Sequence, residues 1–203
     1  MTTKLRNLLL LSIMMFAFTA ISCSSDDPEF EVDQELITDV TLIFTEVDAA
    51  GTPISSPFTV TASDPEGLEL GTQPVIQAIT GLEPGKRYRL DISLFNSIEN
   101  EDITQEIAED ADDHQFFFLG SAFIGPNDFL TYEYADADQN GNPIGLFGYV
   151  TVSPNPGTNN GQFRLVLRHD LDKNYAGIRN PGFTNFVAAG GETDLDITFP
   201  VTL

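Results

Sequence analysis

The sequence predicts a mainly β protein folded as an antiparallel β-sandwich with one amphipathic helix at about residues 100–114. Several short segments alternate apolar and polar residues with a period of two, most clearly in the closing segment LDITFPVTL. This alternation is typical of strands that bury one face. Clusters of Gly, Pro, Asn and Asp separate the segments at GTPISSP, SDPEGLELG, DADQNGNPIG and SPNPGTNNG, as expected for turns between antiparallel strands.

The N-terminus has the features of a lipoprotein signal peptide over residues 1–22. Lys4 and Arg6 precede an apolar run over 8–18, which is too short to cross a bilayer. The residues AISC that follow resemble a lipobox, the motif whose cysteine carries the lipid of bacterial lipoproteins. Cys23 is the single cysteine of the chain, and we predict that it is lipidated. The alternative is an ordinary secretory signal with a chance cysteine.

An acidic tether over 23–34 is predicted to join the lipid to a single domain over 35–203. The sequence SSDDPEFEVDQE after Cys23 has the polar composition of a flexible linker. Removal of Lys4 and Arg6 with the signal peptide leaves 7 basic residues against 31 acidic ones, so the mature chain carries a net charge of −24. Such a surface repels nucleic acid and attracts cations. We therefore expect no nucleic-acid partner, and a membrane link through the lipid anchor.

The strands of the domain are predicted in order from the period-two pattern. In RYRLDISL, the four residues at even positions from Tyr88 to Leu94 are apolar and face inwards. In the closing strand, 194–203, the same pattern directs Asp194 outwards together with Asp196. The other strand candidates are 36–47, 57–62, 74–80, 115–123, 129–135, 146–152 and 162–168.

The segment ITGLEPGKRYRLDISLFN resembles the corner between strands E and F of immunoglobulin-like and fibronectin type III domains. In that corner a leucine, a Pro-Gly turn and a tyrosine form a tyrosine corner, and here they are Leu82, Pro84-Gly85 and Tyr88. The resemblance implies an Ig-like sandwich. The chain lacks the Cys…Trp…Cys core of antibody domains, so antibody-type membership is not implied.

One segment has the periodicity of a helix. Between 100 and 114, Ile103, Ile107 and Ala111 recur at every fourth position, and Asp102 with Gln105 forms a plausible capping box. At 100° per residue, His114 lies about 20° from Ile103 around the helix. We therefore expect His114 to face the interior.

The two histidines form a candidate zinc-like site. His169 follows three apolar residues on the same face of its strand in FRLVLRH, so period-two geometry directs it inwards as well. Neutral imidazole is the commonest zinc ligand, and Asp110 or Glu192 could complete the ligand set. The alternative is that each histidine is a buried residue that bonds to the backbone or to a carboxylate.

The segment DADQNGNPIG is a candidate calcium loop. Asp136, Asp138 and Asn140 match the first three ligand positions of D-x-D-x-N-G, and Gly141 permits the sharp turn. Position 12 is Phe147, so the bidentate glutamate of such loops is missing. The alternative is a plain hairpin turn, for which Asn-Gly is a strong signal.

The sequence gives no support for catalysis. It has no G-x-S-x-G elbow, no H-E-x-x-H and no phosphate-binding glycine loop. With 31 acidic residues, chance pairs of carboxylates are expected, so they do not indicate a glycosidase. We therefore expect a protein that is not an enzyme.

Across most of the mature chain, the sequence resembles a group of small flavobacterial lipoproteins labelled "type 1 periplasmic binding fold superfamily protein". The shared segments are the acidic tether, ITGLEPGKRYR, DDHQFFF, DADQNGNPIG, LRHDLDK and AGGETDLDITF. The label describes two α/β lobes, whereas the residue pattern predicts β structure. The Ser and Asp residues after Cys23 resemble the signal that exports Bacteroidetes lipoproteins to the outer face of the outer membrane.

Two hypotheses of function follow. The first is a surface-exposed outer-membrane lipoprotein whose sandwich binds a ligand, with a divalent metal (Zn or Ca) as first choice, as an accessory to an outer-membrane transporter. The second is a structural or adhesive Ig-like module that binds no ligand.

Overall fold

The computed structural model describes residues 35–70 and 73–203. The predictions on the signal peptide, Cys23 and the tether over 23–34 lie outside these residues. Among the described residues, no helix has the length and apolar character needed to span a membrane.

The described residues form a mainly β structure with two short helices. The prediction of an antiparallel sandwich with a minor helix is confirmed. The strands are β1 (Asp39–Val47), β2 (Phe58–Ser63), β3 (Val75–Ile76), β4 (Arg87–Phe95), β5 (Gln115–Leu119), β6 (Leu130–Tyr134), β7 (Phe147–Val152), β8 (Asn160–His169) and β9 (Glu192–Thr202). The helices are α1 (Ile103–Glu109) and α2 (Phe186–Ala189).

The strands are arranged in a six-stranded sheet, in the order β3-β2-β1-β4-β7-β6, and a three-stranded sheet, in the order β5-β8-β9. All neighbouring strands pair antiparallel. Apolar residues from both sheets, including Phe44, Leu90, Phe116 and Phe163, form one buried cluster. This cluster is the core between the two sheets.

The predicted tyrosine corner is present at the start of β4. The hydroxyl of Tyr88 accepts a hydrogen bond from the backbone N–H of Glu83 at 3.0 Å and lies 3.4 Å from the carbonyl of Gly81. The ring of Tyr88 is buried in the core. The corner therefore fixes the turn that leads into a central strand of the six-stranded sheet.

Helix α1 is shorter than the pattern predicted. Ile103 and Ile107 are buried, and the side chain of Asp102 caps the helix by accepting from the N–H of Gln105. The helix ends at Glu109, and a turn leads on to β5. The inward direction of His114 is therefore set by its position immediately before β5. The geometry of the helix does not determine it, because the helix ends before this residue.

Strand β5 of the three-stranded sheet is buried on both faces, whereas the sequence pattern predicted sheets with one face in water. The chain between β8 and β9 folds back over the outer face of this sheet and forms a second apolar cluster of Phe117, Leu119, Val166, Leu171, Ile178 and Ala189. All five residues of β5 are buried as a result. The excursion between β8 and β9 thus forms an outer layer.

Candidate functional site

The two histidines lie side by side at one end of the three-stranded sheet. His114 immediately precedes β5 and His169 is the last residue of β8, and these strands pair with Gln115 opposite Arg168. The ring centroids are 6.0 Å apart, with 54° between the ring planes. Each histidine is 5% exposed. Antiparallel pairing therefore joins two residues that are 55 positions apart in the sequence.

The carboxylate of Asp194, which the period-two pattern predicted to face outwards, completes the group. The register of β8 and β9 shifts beside Leu167 and Arg168, so that Leu195 and Thr193 have strand partners while Asp194, between them, is left without one. A β-bulge of this kind interrupts the alternation of faces and re-aims a side chain. Asp194 is 1% exposed, and the prediction that it faces water with Asp196 is wrong for this reason.

Hydrogen bonds fix the orientation of both rings. His169 Nδ1 donates to Asp194 Oδ1 at 2.5 Å, and His114 Nδ1 donates to the backbone carbonyl of Asp110 at 3.0 Å. In the neutral rings, each Nε2 then carries a free lone pair. His114 Nε2 lies 4.0 Å from Asp194 Oδ2. The geometry leaves both acceptor nitrogens available for a ligand.

Two polar atoms of this group are buried without a hydrogen bond in the described part of the chain. They are His169 Nε2 and Asp194 Oδ2. Asp170 Oδ2 lies 3.9 Å from His169 Nε2, which is beyond hydrogen-bonding distance. A buried polar atom that lacks a partner costs about 1–3 kcal/mol. Unpaired atoms in a native interior need an explanation, such as an ion, a water molecule or a functional role.

Two further acidic groups, Glu106 of α1 and Glu35, interact electrostatically with the histidine pair. Burial raises the pKa of Glu35 to about 7, and repulsion by Glu106 and Asp194 adds to this effect. Burial likewise raises the pKa of Glu106. Burial also raises the pKa of Asp194, against the opposing influence of His169, His114 and Arg168. Several acidic groups therefore lie near the histidine pair, and burial favours their neutral, protonated form.

The carboxylates predicted to join the histidines do not do so. The side chain of Asp110 is exposed, and the residue contributes its backbone carbonyl to His114. Glu192 pairs with His169 across the strands but is also exposed. Asp194 stands in their place, and its position depends on a bulge that period-two reasoning does not detect.

The histidine group is not a preassembled metal site. Over residues 35–70 and 73–203, no group of three or more His, Cys, Asp or Glu side chains is placed to hold an ion. Two ligands on one tetrahedral ion lie about 3.4 Å apart, whereas His114 Nε2 and Asp194 Oδ2 are 4.0 Å apart. Binding would therefore require side-chain shifts of about half an ångström or more.

The calcium-like loop uses its carboxylates to bind its own backbone. Asp136 accepts hydrogen bonds from the N–H groups of Gly145 and Phe147, and Asp138 Oδ1 accepts from those of Asn140 and Asn142. The side chain of Asn140 is exposed. The segment is thus built as a turn, which is the alternative interpretation of DADQNGNPIG, and calcium binding by Asp136, Asp138 and Asn140 stays a prediction.

A buried lysine lies where a cation would approach this loop. Lys173 is 5% exposed, and its Nζ donates to the carbonyls of Ala111 and Pro143 at 2.6 and 3.4 Å. The same atom lies 3.5 Å from Asp138 Oδ2. Two unit charges of the same sign about 4 Å apart repel by roughly 4 kcal/mol near a protein surface, and a dication doubles this. The ammonium of Lys173 therefore opposes a calcium ion at Asp138.

Comparison with known proteins returned no match. No family model, no curated protein and no solved structure is significantly similar to this chain. The resemblance to small flavobacterial lipoproteins therefore stays a prediction.

Proposed function

We propose that this chain is a lipid-anchored lipoprotein of the outer-membrane surface whose sandwich binds a divalent cation through His114, His169 and Asp194, and that it is not an enzyme. The observation that carries the proposal is the pair of unpartnered atoms, His169 Nε2 and Asp194 Oδ2, inside a group of side chains that are at least nine-tenths buried.

The bonding of the two rings supports a metal-binding role. A histidine that binds a metal commonly donates its other N–H to a carbonyl or a carboxylate, which fixes the ring and makes the binding nitrogen more basic. His114 donates in this way to a carbonyl, and His169 donates to a carboxylate. A mixed set of imidazole and carboxylate suits zinc or a similar borderline cation.

The anchor and the charge of the chain support its proposed place. Lipid on Cys23 would tether the domain to a membrane through 23–34, and two or three acyl chains anchor stably where one does not. A mature net charge of −24 would concentrate cations near the domain. A cation-capturing domain on the outer surface would serve as an accessory to an outer-membrane transporter.

Zinc titration of the metal-free protein by calorimetry tests this proposal. Wild type is expected to bind one equivalent, and Asp194→Asn is expected to weaken binding at least about tenfold because it removes a charged ligand oxygen. Glu192→Gln is the matched control, since it removes the same charge from an exposed residue of the same strand. Equal affinity in the two variants, or no binding by wild type, would contradict the proposal.

A second candidate function is a structural or adhesive module without a ligand. It is favoured by the hydrogen bonds that both histidines already make and by the turn-like bonding of Asp136 and Asp138. Under this alternative, zinc leaves the melting temperature of the protein unchanged, because a ligand stabilises only the state that binds it.

A further inference from the structure

Strand β6 has one edge that pairs with no strand of the described chain, because it is the last strand of the six-stranded sheet. At its paired edge, the N–H of Ser153 donates to the carbonyl of Phe129, and the N–H of Ala135 donates to that of Phe147. Backbone groups alternate between the two edges of a strand, so Tyr132, three positions from both Phe129 and Ala135, directs its N–H and C=O towards the open edge. Such an edge is a template for another strand.

A recess of about 440 Å³, the inner recess, lies beside this edge. It is bounded by β6 and by Pro181, whose carbonyl accepts from the N–H of Phe118 at the edge of β5. The stacked rings of Phe118 and Tyr132 and the exposed side chain of Ile124 form part of its wall. None of the described residues that line it is charged. The inner recess therefore suits an apolar side chain.

A second recess of about 340 Å³, the outer recess, lies on the opposite face of β6. Its lining includes Thr131 and Thr151, which are exposed on the outer face of the six-stranded sheet, and Asp128. Leu130 and Thr131 line both recesses. Their side chains point to opposite faces of the strand, since Leu130 is buried and Thr131 is exposed. The two recesses thus flank the same point of the open edge.

A strand added to this edge would place one side chain beside each recess. Pairing would begin at Tyr132, because the N–H of Leu130 already donates to the carbonyl of Ala122. A residue opposite Tyr132 shares the inner face with it, and the next residue, opposite Thr131, shares the outer face. In recognition by strand addition, main-chain hydrogen bonds give affinity and pockets for alternate side chains give specificity. The paired recesses fit an extended peptide better than a compact small molecule, which would occupy only one of them.

Charge selects the kind of partner. The chain carries a net charge of −22, and Asp128 lines the outer recess, so a second copy of this chain is repelled whereas a basic segment is attracted. We infer that the open edge of β6 binds an extended, basic segment of a partner protein, with an apolar side chain in the inner recess and a polar or basic one in the outer recess. The inference is independent of the proposed cation site, because neither recess is lined by His114, His169 or Asp194.

The test is a titration of the purified protein with the synthetic peptide acetyl-Lys-Thr-Phe-Thr-Phe-Thr-Lys-amide, followed by NMR. We expect saturable binding and slower hydrogen exchange at the amide of Tyr132, which gains a partner. The amide of Thr131 faces β7 and should change less. N-methylation of both phenylalanines removes the donors that face β6 and should weaken binding about tenfold. N-methylation of the flanking threonines is the matched control, since their donors face away from β6.

A pair of protein variants tests the recess itself. Ile124→Lys places a charge in the wall of the inner recess and should weaken binding of the peptide at least about tenfold. Ile98→Lys is the matched control, because Ile98 is also exposed but lines neither recess; it should change the affinity less than about threefold.

Four outcomes would overturn the inference. They are the absence of saturable binding at millimolar peptide, equal weakening by the two N-methylated peptides, and equal weakening by the two variants. The fourth is a dimer of the protein in analytical ultracentrifugation that is lost in Ile124→Lys, which would show that a second copy of the chain occupies the edge.

Discussion

Lys173 provides the sharpest test of how the structure is held together. Lys173 lies in the chain beyond β8. Its ammonium contacts the carbonyl of Ala111, just after α1, and it also contacts the carbonyl of Pro143 and the carboxylate of Asp138 in the DADQNGNPIG segment. Burial lowers the pKa of Lys173, and the charge of Asp138 opposes this effect. Lys173→Met keeps the apolar stem of the side chain and removes the charge, so it isolates the contribution of the ammonium.

The expected loss of stability follows from the burial of both partners. The side chains of Lys173 and Asp138 are 4% and 1% exposed, and removal of one member of a buried pair costs about 3–5 kcal/mol because the other charge is left uncompensated. Asp138 retains the N–H donors of Asn140 and Asn142, so we expect the lower end, about 3 kcal/mol. In a domain of this size that loss lowers the melting temperature by about 6–12 °C.

Urea unfolding of wild type and Lys173→Met measures this difference directly. Arg179→Met is the matched control, because Arg179 bonds Gly141 and Asn142 of the same turn from an exposed position and should contribute less than about 1 kcal/mol. A loss below about 1 kcal/mol in Lys173→Met, or an equal loss in the control, would refute the reasoning.

Calcium is expected to stabilise a variant that lacks the Lys173 ammonium. Lys173→Ala removes the whole side chain and leaves Asp138 Oδ2 and the carbonyls of Ala111 and Pro143 without their cation. Carboxylate and carbonyl oxygens are the ligands that calcium takes in proteins, so millimolar calcium should restore part of the lost stability in this variant. Wild type should show a smaller shift, since its ammonium repels the ion.

Two further predictions concern the anchor and the corner. Cys23→Ala should move the protein from the membrane fraction to the soluble fraction, because it removes the residue proposed to carry the acyl chains. A variant that stays in the membrane after a carbonate wash would contradict the proposed anchor. Tyr88→Phe should cost about 1–2 kcal/mol in urea unfolding, since it removes the partner of the Glu83 N–H, and an unchanged midpoint would show that the corner contributes only packing.

The period-two pattern predicted most of the strands well because burial of one face determines which residues alternate. The candidate 74–80 is shorter in the structure, as β3, and the candidate 115–123 ends at Leu119. In β4 the inward residues from Tyr88 to Leu94 are buried as expected. The tyrosine corner was also readable, because its leucine, Pro-Gly turn and tyrosine are close in sequence. Both features depend on residues that are close in sequence, which is why sequence patterns were sufficient to predict them.

The pattern did not predict features that depend on distant parts of the chain. The bulge that turns Asp194 inwards is a property of the pairing between β8 and β9, and the sequence of β9 alone gives no sign of it. The outer layer over β5 was missed for a related reason, although three successive phenylalanines before Leu119 are a signal that both faces of that strand are buried. Lys173 was overlooked because a lone lysine in a polar segment is usually exposed.

Two of the buried charged groups in the described residues, those around Lys173 and Asp194, differ in whether their polar atoms are paired. Around Lys173, the ammonium meets two carbonyls and a carboxylate, which in turn accepts two backbone N–H groups, so the group is satisfied as it stands. Around Asp194, a carboxylate oxygen and an imidazole nitrogen stay buried without partners in the described chain, next to a bulge. Natural sequences tend to break local rules at functional sites. A group that only stabilised the fold would not be expected to leave two buried polar atoms unpaired, and this is the physical reason to propose a ligand there.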